Sequence, residues 1–139
     1  MNALVLLFLA WIAAQTGLEL PTSPSVVLVA TEEMRERSAR PGNKVEALYD
    51  RVTGTVYLPE SWNSEALYDR AMLLHELVHH VQEFNQVASQ CNADWEQQAY
   101  DLTRIWLGEQ GVADPYTFLK VDELTVAILS LCPSENRVM

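Results

Sequence analysis

Met72-Leu73-Leu74-His75-Glu76-Leu77-Val78-His79-His80-Val81 is the stretch around which the chain organises itself. At about 100° per residue, Leu73, Leu74, Leu77, Val78, Val81 and Phe84 fall on one arc, while Met72, Glu76, His79 and Glu83 gather around His75 on the other. The pattern predicts a helix over about 65–87, with an apolar stripe for the core and a separate face for the histidines. Asn63 or Ser64 supplies its cap. Two imidazoles at i and i+4 lie one turn apart and can reach the same metal ion, and the glutamate beside the first histidine points to the edge of that site. His-Glu-x-x-His is the zinc-binding pattern that uses this geometry, with the glutamate as general base. A chance match in a chain of this length is on the order of 1% or less, so the metal reading outweighs that of a histidine patch on an ordinary helix. All 3 histidines of the chain lie between positions 75 and 80. His80 falls between the two faces and is expected on the helix flank, outside the ligand set.

A catalytic zinc takes three protein ligands and keeps one position for water. With no further histidine, the third ligand comes from Cys91, Asp94, Glu96, Asp101 or Glu109. A second helix is expected over 94–110, stopped at Gly111, with Trp95, Ala99, Leu102 and Trp106 as its buried stripe. Glu96 projects beside Tyr100, Thr103 and Leu107 on the apolar flank of that stripe, whereas Asp94 and Asp101 project with Gln98 on the other side. Glu109 lies near the helix end. A carboxylate held against apolar side chains needs a partner or a metal, so Glu96 is the expected third ligand. Tyr100, one turn later, is either a donor to a developing oxyanion or a tyrosine at the core edge.

Outward from the two helices, residues 26–30 read as a short buried strand, and Thr31 can cap a charged helix reaching about Arg40 before Pro41-Gly42. Residues 45–50 and 55–58 are strand-like runs joined through Gly54, a hairpin signature. Residues 55–58 would offer backbone to an extended peptide if they lie at the sheet edge. A third helix is expected over 122–131, before Pro133. A sheet of about three strands followed by an active-site helix and a ligand helix gives the α+β class. Residues 3–14 are apolar throughout but fall short of the ~20 residues of a membrane-spanning helix. They are either a signal-like segment or a first helix ended near Gly17. The chain thus divides into an apolar N-terminal segment, 1–20, and a single domain, 21–139.

A length of 139 residues suits one domain with one core. The formal charge of -10 and pI of about 4.6 repel phosphate backbones and argue against a nucleic-acid partner. The 2 cysteines, Cys91 and Cys132, cannot build a four-thiolate site. They are expected to form a disulfide, which favours an oxidising, extracytoplasmic compartment over the cytoplasm.

Trp11-Ile12-Ala13-Ala14 with Thr16-Gly17, Tyr49-Asp50-Arg51, Tyr57-Leu58-Pro59, the histidine motif with His80 and Gln82, and Cys91, Glu96, Ala99-Tyr100, Trp106-Leu107 and Cys132 resemble a family of small bacterial zincins catalogued as a domain of unknown function. More distantly the chain is similar to minimal gluzincins, metallopeptidases in which the motif helix is followed by a helix bearing a glutamate ligand. The resemblance implies zinc on His75, His79 and Glu96, Glu76 as catalytic base, and an N-terminal segment that belongs to the folded domain; it does not specify the substrate, for which a peptide or protein is the expectation. The competing expectation is a zinc-binding module that is inactive, or inhibited by its own chain.

Overall fold

A computed structural model describes residues 1–37, 46–89 and 92–121. The elements are α1 (Asn2–Thr16), β1 (Ser25–Val29), α2 (Thr31–Arg37), β2 (Leu48–Asp50), β3 (Thr55–Pro59), α3 (Leu67–Phe84), α4 (Asn92–Glu109) and α5 (Pro115–Phe118). This is the expected α+β architecture, with a three-stranded sheet and, among the described residues, five helices. The helix expected over 122–131, and both Cys91 and Cys132, lie outside the described residues.

β2 and β3 form the expected antiparallel hairpin, with Leu48 opposite Tyr57 and Tyr49 opposite Val56. Its turn is closed by Asp50, whose carboxylate accepts from the backbone N–H of Val52 at 2.9 Å, and by Gly54, whose φ of 67° lies in the left-handed region that favours glycine. The sheet order is β1-β3-β2, with β1 parallel to β3. Residues 55–58 are therefore the central strand and not an edge; the edges are β1 and β2, and β1 is not the buried strand expected, since Val27 and Leu28 are exposed along it. The hairpin occupies one side of β3, so β1, which reaches its parallel partner by a crossover that includes α2, pairs on the other side.

Alternation along the strands separates two faces. Tyr49, Val56 and Leu58 face the main core with Leu73, Leu74, Leu77, Val78 and Val81 of α3, while Val29, Leu48 and the partly buried Tyr57 pack with Met34 of α2 on the opposite side. α1 adds Val5, Phe8, Leu9 and Ile12 to the main core. The Phe8 ring meets Trp106 of α4 edge-on at 5.2 Å between centroids, and the Trp11 indole N–H donates to Glu109 at 3.0 Å. α1 stops at Gly17, φ 74°, as expected. Among the described residues, no helix is long and apolar enough to cross a membrane.

α3 starts at Leu67, two residues later than expected, because the polar residues before it close a turn instead of a cap. Asn63 Oδ1 accepts from the Glu65 N–H at 2.9 Å, and Asp69 accepts from the Asn63 N–H at 2.8 Å. α4 starts two residues earlier than expected and ends at Glu109; Gly111, φ 92°, is its expected stop, and beyond it the Val112 N–H returns to the Leu107 carbonyl at 3.0 Å.

Candidate metal centre

α3 and α4 pack side by side, and the site lies between them. His75 and His79 point from α3 toward α4, their rings 4.9 Å apart, and Glu96 reaches back from the second turn of α4. Glu96 Oε1 lies 2.7 Å from His79 Nε2 and 3.7 Å from His75 Nε2. One ligand atom from each of the three residues can be chosen so that all lie within 4.8 Å of one another. The face that helical phase separated from the core is thus buried as well, because α4 covers it: His75 is 5%, Glu76 3%, His79 0% and Glu96 8% exposed.

Three buried atoms here, Glu76 Oε1, His79 Nε2 and Glu96 Oε1, make no hydrogen bond. His79 Nε2 and Glu96 Oε1 approach as an ion pair would, without the alignment of a hydrogen bond. Leaving such groups unsatisfied costs about 1–3 kcal/mol each, and a cation held between His79 Nε2 and Glu96 Oε1 removes that cost for these two. Two imidazole nitrogens and one carboxylate oxygen are a donor set that suits zinc, so the residues present fit the expected metal.

The two carboxyl groups are driven apart. Burial pushes both up, but in Glu96 the neighbouring His79 and His75 outweigh burial and hold the group down at about 2. In Glu76 burial wins over the downward pull of the two histidines, and the charge of Glu96 adds to the upward shift. One carboxyl is therefore fixed as an anion, suited to ligation, and the other is disposed to hold a proton. A pair of carboxyls so divided is a recurrent arrangement in acid–base sites.

His80 is engaged away from the His75, His79 and Glu96 cluster. Its Nε2 donates to the Thr22 carbonyl at 2.7 Å and its Nδ1 meets the Tyr49 hydroxyl at 2.9 Å, so it ties the N-terminal segment and β2 to α3. Burial lowers its pKa from the ordinary value. Tyr100 does lie at the site, its ring 4.7 Å from that of His75 and edge-on to it. The other acids weighed as ligands are placed elsewhere: Asp101 accepts from Gln97 at 3.1 Å, Glu109 is engaged by Trp11, and Asp94 is exposed. Gln82 was not singled out as a site residue from the sequence pattern, yet it is fully buried and its Oε1 lies 2.9 Å from His79 Nδ1. The available signal was its position three residues after His79, on the same helix face.

Residues 1–136 match the family described as Domain of unknown function (DUF6647), and the chain belongs to that family. No curated protein and no solved structure matches it.

Proposed function

We propose that this DUF6647 member is a zinc-dependent metallopeptidase of the gluzincin type, with His75, His79 and Glu96 holding the metal and Glu76 as the general base. The observation that carries the reading is the convergence of ligand atoms from His75, His79 and Glu96, two of them, His79 Nε2 and Glu96 Oε1, buried and unsatisfied, with a further unsatisfied buried oxygen on Glu76. Zinc held there would lower the pKa of a water to about 7 and polarise a scissile carbonyl. Glu76 would serve as the base for that water and as the acid that returns the proton to the leaving nitrogen. Tyr100, whose ring lies beside that of His75, is the candidate donor toward a developing oxyanion.

Substrate binding is assigned to the edge strand β2 and no longer to residues 55–58. A backbone hydrogen bond links Tyr49 of β2 to Glu76, so a peptide added along the outer edge of β2 would pass close to the base. The near-complete burial of all four site residues favours the second reading, a metal-bound module closed by its own chain.

One experiment separates them. The zinc-loaded protein is incubated with a peptide library beside its Glu76→Gln variant, and cleavage and metal content are measured. The peptidase reading expects cleavage by the native chain, and a variant that keeps zinc and loses cleavage by at least about 100-fold. Zinc binding without cleavage by either protein supports the closed module.

A further inference from the structure

We infer that Gln82 is a positioning residue that fixes the tautomer of His79 and the placement of Glu96, and so sets how tightly the site binds its metal. The inference rests on the metal reading above. Its basis is hydrogen-bond accounting at one buried amide. Gln82 Nε2 lies 3.1 Å from the Trp95 carbonyl oxygen and 2.8 Å from Gln98 Oε1. A backbone carbonyl can only accept, so the nitrogen of the Gln82 amide must be on that side, and the orientation is set without appeal to the side chain's own ambiguity. Gln82 Oε1 then faces His79 Nδ1 at 2.9 Å, and a carbonyl oxygen can only accept there too.

His79 must therefore carry a hydrogen on Nδ1, which leaves Nε2, 2.7 Å from Glu96 Oε1, as the nitrogen a metal would take; with the metal between them the two atoms are ligands to it instead of two acceptors facing each other. The opposite tautomer would set two acceptors against each other in a fully buried position. The same amide acts on the other helix. Trp95 is the residue immediately before Glu96, so the bond to its carbonyl anchors the backbone from which the carboxylate ligand projects. One side chain thus orients a ligand on α3 and locates a ligand on α4. Partners that orient metal ligands in this way are typically worth about 10–100-fold in metal affinity.

The test compares zinc affinity by competition with a chelator, and the ring-nitrogen NMR signals of His79, in the full chain and in Gln82→Leu. The native protein is expected to show hydrogen on Nδ1 with and without zinc, and zinc on Nε2. The variant is expected to bind zinc about 10–100-fold more weakly and to lose the hydrogen-bonded Nδ1–H signal. A variant that binds zinc as tightly as the native chain overturns the role of Gln82 and leaves the metal site standing. A native chain that binds no zinc overturns the site itself. The native spectrum needs no variant, so it decides the matter even if Gln82→Leu does not fold: zinc on Nδ1, or hydrogen on Nε2 alone, contradicts the inference.

Discussion

His79 Nε2 and Glu96 Oε1 stand 2.7 Å apart across the interface of α3 and α4, neither in an aligned hydrogen bond. The contact joins the helix that carries the histidine motif to the helix that follows it. Two helices packed through apolar residues alone would put nothing polar at this point, and Ala99, Leu102 and Leu107 on α4 already supply the apolar packing. The polar atoms are held buried against that background, where an unpaired group is costly. Helix packing and ligand geometry are therefore one feature.

The N-terminal helix is part of the same core. Phe8 is 2% exposed, with its ring edge-on to Trp106. Phe8→Ala is expected to lower unfolding free energy by about 3–5 kcal/mol, the usual cost of emptying a buried phenylalanine site. Urea denaturation checks it; a loss below about 1 kcal/mol would mean that α1 contributes little to the fold.

Alkaline stability reports on β2. Burial, with Glu83 and Asp50 adding to it, pushes the Tyr49 phenol up to about 12. The unfolded chain, with the ordinary value near 10, releases its proton first, so stability is full below about pH 10 and falls as pH rises toward 12. Tyr49→Phe is expected to flatten the fall of the urea midpoint over this range. Tyr68, which is also shifted upward, supplies the slope that remains. An unchanged slope in the variant would place the titrating group elsewhere.

How much of this was legible in the sequence follows from which interactions are local. The motif helix, the hairpin, and the stops at Gly17 and Gly111 depend on near neighbours, and so does the orientation of Glu96 relative to Trp95 and Tyr100. The central position of β3 depends on where β1 pairs after a crossover, which no local pattern specifies. Gln82 was missed because an amide on a helix carries no charge to demand a partner; its role exists only once α4 brings the Trp95 carbonyl against it. The short helix α5 was also missed, although Asp114 and Pro115 form a standard start, with Asp114 accepting from the Thr117 hydroxyl at 2.7 Å.

Cys91 and Cys132 are expected to form a disulfide, closing a loop of about 40 residues and restricting the unfolded chain by roughly 3–4 kcal/mol. Thiol titration of the denatured, unreduced protein should find none reactive. Two reactive thiols per chain would remove the bridge and the argument for an oxidising compartment.

Metal content measured on purified variants tests the central claim most directly. The native chain is expected to hold one zinc, as are Asp101→Asn and Glu109→Gln, whose side chains are engaged away from the site. His75→Ala and Glu96→Ala are expected to lose stoichiometric zinc. One tightly bound zinc per chain retained by His75→Ala would contradict the site assigned here.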